Sequence, residues 1–302
     1  MINPNMSSGI NILHNPQALV GREISGVTIL DLLGRGAMGL VYTAFQKSLK
    51  RKVALKLYPK LDDTAKSLDR LRDEAQVVAV LNHPHIAPVF DLGENDEFLF
   101  IVMQLIDGED LGSMISRYLL HPVPSRRIIQ KELGLNIIMG VIDALIYAHS
   151  QYVVHQDVKP QNVLIERGTN RPFLVDFGIA RTILTEHGKS KLVLGTPVYM
   201  SPEQARGDET DKRADIYSVG IMLWEIFAGK LPVSTTVTEK LMALKIHRPE
   251  QVFGKKPSEC SLIIDSELQK IILKATAADL QQRYQSCEEL KDDIAAYIKK
   301  SL

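Results

Sequence analysis

Two stretches of this chain are apolar around the whole circumference of a helix, and any fold containing them must cover them on every side. Residues 132–150 carry Leu133, Leu135, Ile137, Ile138, Ile142 and Leu145. Residues 215–228 carry Ile216, Val219, Ile221, Leu223, Trp224, Ile226 and Phe227. A helix without a polar face belongs in a large core or in a membrane. No apolar run is expected to reach the ~20 residues of a spanning helix, so both stretches are read as buried core helices, the second with Asp215 as its N-cap. The 302 residues suffice for a large core and two lobes around a cleft.

A polar loop follows the first of these helices. His155-Gln156-Asp157-Val158-Lys159-Pro160-Gln161-Asn162 lies between the apolar runs Tyr152-Val153-Val154 and Val163-Leu164-Ile165, which read as short strands. Such a loop sits at a surface or in a cleft. An acid such as Asp157 can accept a hydroxyl proton, a cation such as Lys159 can steady a phosphate, and the amide oxygen of Asn162 can hold Mg²⁺. Taken alone, the same residues also make an ordinary solvated turn.

The first hundred residues read differently. Met1 to about Gly21 is polar and is expected to lie loosely on the surface. Strand signals follow at Val27–Leu30, Leu40–Phe45, Val53–Tyr58, Val89–Leu92 and Phe98–Met103. Between the first two lies Gly34-Arg35-Gly36-Ala37-Met38-Gly39. Glycines joining two strands suit a hairpin that lays its backbone over phosphates, although a plain glycine-rich hairpin has the same appearance. Lys56 sits inside an apolar strand. Residues 64–81 have helical spacing at Leu68, Leu71, Ala75 and Val78, and Glu74 falls on that apolar face. A carboxylate there is costly unless paired, and Lys56 is the obvious partner.

Taken together, Gly34-Arg35-Gly36-Ala37-Met38-Gly39-Leu40-Val41, Val53-Ala54-Leu55-Lys56, the polar loop, Asp176-Phe177-Gly178 and Ser201-Pro202-Glu203 form an ordered set. In order and spacing it resembles the eukaryotic-like serine/threonine protein kinases of bacteria, the PknB type, over about residues 26–297. Leu81-Asn82-His83-Pro84-His85-Ile86 and Gln282-Arg283-Tyr284-Gln285-Ser286 read like the same branch. The resemblance implies an α+β, bilobal protein-kinase fold, with a small antiparallel-sheet N-lobe carrying one key helix and a larger, mainly helical C-lobe. The implied boundaries are 1–25 for an N-terminal extension, 26–103 for the N-lobe, 104–108 for the hinge and 109–302 for the C-lobe.

The resemblance also assigns roles. Asp157 would orient the substrate hydroxyl, Lys159 and Lys56 would hold phosphates, Glu74 would aim Lys56, and Thr196 would bond the acid and the lysine of the loop. Asn162 and Asp176 would bind Mg²⁺, with Mn²⁺ as an alternative ion. ATP would lie against Leu33, Gly34, Gly36, Gly39, Val41, Ala54, Lys56, Met103 and Leu164, with backbone groups of Gln104 and Ile106 on the adenine. Met103 also reads as plain core packing. Glu203 and Arg283 would form a buried structural ion pair, and Asp215 would hold the backbone of the polar loop. The expected activity is transfer of the γ-phosphoryl group of Mg·ATP to Ser/Thr hydroxyls of proteins, with autophosphorylation. A pseudokinase scaffold is the rival from another class, but no catalytic position is degraded. A small-molecule kinase is disfavoured by Ser201-Pro202-Glu203 and the substrate platform before it.

Departures from the family are few. Gln156 stands where arginine is usual, and it cannot dock a phosphate ionically. The enzyme is therefore expected not to depend strongly on phosphorylation at Thr182, Thr185 or Ser190. Leu280 replaces a common proline. The formal net charge of +0 offers no bulk attraction for nucleic acid or anionic membrane. Cys260 and Cys287 lack ligand spacing and read as two reduced thiols of a cytoplasmic protein. Residues 1–15 lack the pattern of a secretory signal. Relatives of this type often continue into a membrane helix, so a chain ending at Leu302 is expected to be either soluble or a piece of a longer one.

Overall fold

The computed structural model describes residues 15–36, 39–60, 76–177 and 197–301. The chain divides into two units. One comprises the residues up to His83 together with Ala87–Ile106. The other comprises Pro84–Ile86, Asp107–Gly178 and Val193–Leu302.

The first unit is built on a six-stranded antiparallel sheet. Its strands are β1 (Glu23–Ile24), β2 (Val27–Arg35), β3 (Leu40–Gln46), β4 (Arg51–Pro59), β5 (Val89–Glu94) and β6 (Phe98–Gln104), in the spatial order β1-β2-β3-β4-β6-β5. Side chains alternate across a strand, so each register pair shares a face. Leu40 pairs with Leu57, Tyr42 with Leu55 and Val102 with Leu55, and these residues point into one apolar cluster. Val41 pairs with Lys56 and Ala54 with Met103, on the opposite face. That face carries a second cluster of Tyr58, Leu99 and Ile101, against which Val78, Val89, Leu92 and Met103 pack. Helix is described here over residues 76–79. Glu74 lies outside the described residues.

The expectation of a loose N-terminal segment fails from residue 16 onward. Pro16–Leu19 form a 3-10 turn, and Leu19 is fully buried in the first cluster. The Tyr42 hydroxyl donates to the Pro16 carbonyl at 2.8 Å, and the Gly21 N–H donates to Ile29 at 2.9 Å. The cause is the sheet itself: the face formed by Leu40, Tyr42, Leu55 and Leu57 needs a cover, and an apolar residue outside the strand pattern provides one.

The second unit holds a small sheet of β7 (Gly108–Asp110), β8 (Val163–Glu166) and β9 (Pro172–Leu174), with all described pairings antiparallel. Its described helices are α1 (Leu111–Leu119), α2 (Lys131–Ser150), α3 (Pro202–Arg206), α4 (Arg213–Ala228), α5 (Thr238–His247), α6 (Pro257–Cys260), α7 (Ser266–Ala275) and α8 (Cys287–Ser301). Both all-apolar helices lie in the core. In α4 thirteen of sixteen residues are buried, and Trp224 stacks on Phe253 at 4.6 Å. The expectation about spanning length needs correcting. Residues 124–150 are long and apolar enough to cross a membrane, yet more than half of the apolar window is buried within the fold. Gly140 of α2 permits a close approach, since a Cβ there would meet Pro172 at 2.6 Å and His85 at 3.0 Å. This contact seats β9 on the helix.

Two local expectations also change. Tyr152–Val154 form no strand; Tyr152 is almost wholly exposed with φ +60°, and the loop begins directly from α2. Asp215 is not the N-cap of α4. Lys212 occupies that position, and Asp215 lies inside the first turn, where the backbone before the helix does not need it. Both cysteines are free thiols.

Leu19 tests the covering of the sheet. Leu19→Ala is expected to destabilise the protein by about 2–5 kcal/mol, the usual range for a buried leucine. A denaturant titration checks this, and a loss below about 0.5 kcal/mol, the level of a surface change, would show that the turn is not part of the core.

Candidate active site

The polar loop is shaped by one buried carboxylate. Asp215 has no exposed surface. Its Oδ1 accepts from the Gln156 N–H at 2.7 Å and its Oδ2 from the His155 N–H at 2.9 Å, while His149 Nε2 lies 2.8 Å from Oδ2. A buried charge persists only when it is well bonded, and here two of the donors are the loop backbone. Gln156 adopts φ +63°, a left-handed conformation that costs a non-glycine residue energy. The Asp215 bond to its N–H holds it there, and Gln204 Nε2 donates to its carbonyl at 3.1 Å.

His155 fastens the other side of the loop. Its Nδ1 accepts from the Asp157 N–H at 3.3 Å, which leaves the proton on Nε2 to donate to the Val175 carbonyl at 2.9 Å. Its ring packs on Phe177 at 4.5 Å. The Val175 N–H in turn donates to the Asn162 carbonyl at 2.9 Å. β9 therefore delivers Asp176 one residue beyond a backbone bond to Asn162. Asp176 has φ +59°, a second strained position beside the loop.

Within this frame the functional side chains converge. Lys159 Nζ lies 2.7 Å from Asp157 Oδ2, with the lysine mostly buried and the acid half-exposed. Asn162 is buried, and its Nδ2 donates to the Asp157 carbonyl at 2.8 Å and to Asp157 Oδ2 at 3.0 Å. With Nδ2 committed, the remaining coordinating atom of Asn162 is Oδ1, a hard donor. Among the described residues no group of three or more His, Cys, Asp or Glu could hold a metal. Asn162 Oδ1 and the Asp176 carboxylate are hard oxygen donors, the type that small divalent cations favour.

The first unit presents Val41, Ala54, Lys56 and Met103 on one face of its sheet. Gly39 is required there by crowding, since a Cβ would lie 2.4 Å from the Leu57 carbonyl. Gly34 and Gly36 differ: a Cβ would meet nothing closer than 3.6 Å among the described atoms, and neither has positive φ. The fold around them does not demand glycine. Leu33 is half-exposed on the same hairpin. At the end of β6, the Gln104 N–H donates to the Pro88 carbonyl at 2.9 Å, so its carbonyl is its remaining backbone group. In the second unit Leu164 of β8 is half-buried, on the face opposite Val163 and Ile165. Glu74 and Thr196 lie outside the described residues.

Glu203 and Arg283 form a bidentate pair at 2.7 and 3.1 Å, with both side chains buried. Burial pushes the Glu203 carboxyl up, but the Arg283 guanidinium, a backbone bond and the Ser201 hydroxyl together hold it below the usual range. Several residues that bond the backbone around this region were not legible from motifs. His149, Gln204, Ser218 and Lys245 all act on backbone groups or on Asp215. The available signal was a polar side chain on a helix face that is otherwise buried, which must find a partner.

Comparison with known proteins agrees with this geometry. Serine/threonine-protein kinase PrkC of Bacillus subtilis is 38% identical over 283 residues, covering 91% of this chain and 41% of that protein. Serine/threonine-protein kinase PknB of Mycobacterium leprae is 36% identical over 271 residues, covering 87% and 42%. The chain thus spans about two fifths of the length of these curated relatives. Among solved structures, the kinase domain of PknI from Mycobacterium tuberculosis matches with a TM-score of 0.72 and 30% identity, over 93% of this chain and 98% of that one. The protein kinase domain family matches residues 27–294, and with the antiparallel sheet unit, the helical unit and the loop of Asp157 in place, the chain belongs to that family.

Proposed function

We propose that the chain is an active serine/threonine protein kinase that moves the γ-phosphoryl group of Mg·ATP to Ser or Thr hydroxyls of proteins. One observation carries the reading. Asp157, Lys159 and Asn162 are intact, mutually bonded and held by Asp215, with Asp176 delivered beside them. Phosphoryl transfer asks for positioning and charge neutralisation, and this loop supplies both.

In the proposed reaction Asp157 takes up the proton of the acceptor hydroxyl as its oxygen bonds to the γ-phosphorus. The bond from that phosphorus to the bridging oxygen breaks, and ADP leaves. Lys159 moves from Asp157 to the transferring group, where its charge matters more. Asn162 Oδ1 and the Asp176 carboxylate would hold Mg²⁺, or Mn²⁺ in its place; the ion neutralises phosphate charge when bound. Lys56 would take the α- and β-phosphates, aimed by Glu74, and Thr196 would steady Asp157 and Lys159. Leu33, Gly34, Gly36, Gly39, Val41, Ala54, Met103 and Leu164 would line the nucleotide, with the Gln104 carbonyl and the Ile106 backbone on adenine. Glycine at 34 and 36, unexplained by packing, suits close approach of phosphates.

Labelled ATP with mapping of the modified residues tests the activity, and phosphoserine or phosphothreonine is expected. Asp157→Asn is expected to lower turnover about 10²–10⁴-fold, the range for a positioned acid or base, with ATP affinity nearly unchanged. Near wild-type turnover would remove Asp157 from the mechanism. Asp176→Asn is expected to weaken nucleotide binding in the presence of Mg²⁺ and to leave metal-free binding alone. If wild-type ATP affinity is the same with and without Mg²⁺, the assignment of Asp176 is wrong. Lys56→Ala and Glu74→Ala should each cut activity, and the double variant should be little worse than either. Additive losses would show that the two do not act as a pair.

A further inference from the structure

We propose that Lys245 is a positioning residue for the protein substrate: its buried side chain fixes the backbone of residues 198–200, the stretch along which an acceptor polypeptide reaches Asp157. This rests on the protein-kinase activity proposed above.

In helix α5 only Leu241 and Lys245, one turn apart, are buried, and Lys245 has no exposed surface. Its Nζ donates to the Val198 carbonyl at 2.7 Å, to the Met200 carbonyl, and to the Tyr217 hydroxyl at 3.2 Å. Three ammonium hydrogens thus meet three acceptors. Between the two carbonyls, that of Tyr199 receives the Ser218 hydroxyl at 2.8 Å. Three successive carbonyls are therefore held by buried donors from α4 and α5. The stretch runs directly into α3, whose capping box at Ser201 and Gln204 fixes its start. The Gln204 side chain bonds the carbonyl immediately before Asp157. An acceptor hydroxyl must come within hydrogen-bond reach of Asp157, so the polypeptide carrying it passes the backbone adjoining that loop. Residues 198–200 lead into α3, whose Gln204 bonds that loop, and so lie along this approach.

Lys245 holds this stretch without holding the reacting groups. Asp215 orients the loop through separate bonds, and no described bond links Lys245 to Asp157, Lys159 or Asn162. Its loss should weaken capture of protein substrate more than ATP binding or the chemical step.

The chemistry around Lys245 also makes it sensitive to pH. Burial pushes its ammonium down to about 7; Glu203 opposes this, and Arg283 adds to it. The charged and titratable groups facing it are Glu203 from α3, Tyr217 from α4, and Arg283 from the segment before α8. Glu203 is held ionised by Arg283, and burial pushes the Tyr217 phenol up, so neither titrates near neutrality. Below its own pKa Lys245 makes charge-assisted bonds. Above it, the amine keeps two N–H donors for the carbonyls and accepts from Tyr217, so the bonds persist but weaken.

Steady-state kinetics with a Ser/Thr peptide that the wild type phosphorylates test this. Lys245→Met is expected to raise the peptide KM about tenfold, equal to about 1.4 kcal/mol, with the ATP KM and peptide-independent ATP hydrolysis within about twofold of wild type. An unchanged peptide KM, or an equal fall in every parameter, overturns the proposal. Because Lys245→Met orphans two carbonyls and can impair folding, the wild type supplies a second test. Its peptide KM should rise between about pH 6 and 8.5 while its ATP KM does not, and Lys245→Gln should lose that rise. A wild-type peptide KM that does not change with pH, or a rise retained in Lys245→Gln, overturns it equally. If the wild type transfers phosphate to no hydroxyl, the kinase reading itself fails; transfer with a normal peptide KM in Lys245→Met defeats the positioning role alone.

Discussion

The second unit depends on a single buried carboxylate. Asp215 sits with no exposed surface inside a helix that is mostly apolar, and its two oxygens are bonded by His155, Gln156 and His149. Burying a carboxylate is expensive, and removing its donors would leave the charge uncompensated. The cost falls on any conformation in which the loop moves away. The same bonds keep Gln156 at a positive φ that it would otherwise leave. The strain at Gln156 and the charge at Asp215 are thus parts of one arrangement, and Asp157 inherits its position from it.

The pattern extends beyond Asp215. Loops that carry chemistry have irregular backbone, so their N–H and C=O groups lack ladder partners and must find side chains or water. In this unit the partners are buried polar side chains: His155 for the Val175 carbonyl, Gln204 for the Gln156 carbonyl, Ser218 and Lys245 for residues 198–200. The Glu203–Arg283 pair anchors the same region, and the Tyr217 ring lies between Lys245 at 4.7 Å and Arg283 at 5.1 Å. Densely bonded networks of this kind favour one arrangement, because a displacement leaves buried groups unpaired.

The first unit solves a different problem. A twisted antiparallel sheet has two faces, and this one must keep one face for Val41, Ala54, Lys56 and Met103 while covering the other. The core of Leu40, Tyr42, Leu55 and Leu57 takes Leu19 as its lid. Gly39 lets the hairpin approach the Leu57 carbonyl, whereas Gly34 and Gly36 have room around them.

The sequence by itself determined the family, the strands of the sheet, the two core helices and the place of the polar loop. Period-two and all-round apolar patterns are local, and Asp157, Lys159, Asn162 and Asp176 lie in short motifs whose order can be read along the chain. Tertiary structure alone decided why Leu19 is buried and what Lys245 holds, whereas the resemblance already implied that Asp215 holds the loop backbone, as its bonds to His155 and Gln156 show. Residue pattern alone reads Asp215 as a cap because the backbone that its carboxylate bonds lies sixty residues away at His155, and only the family resemblance implied the link. Leu19 looked like part of a polar tail because the face it covers is formed by strands that come later. Lys245 drew no reading from the sequence, because its carbonyl partners, 47 residues away at Val198, carry no signature in side-chain sequence. Backbone acceptors are identical at every residue, so only the fold determines which of them a buried donor will meet.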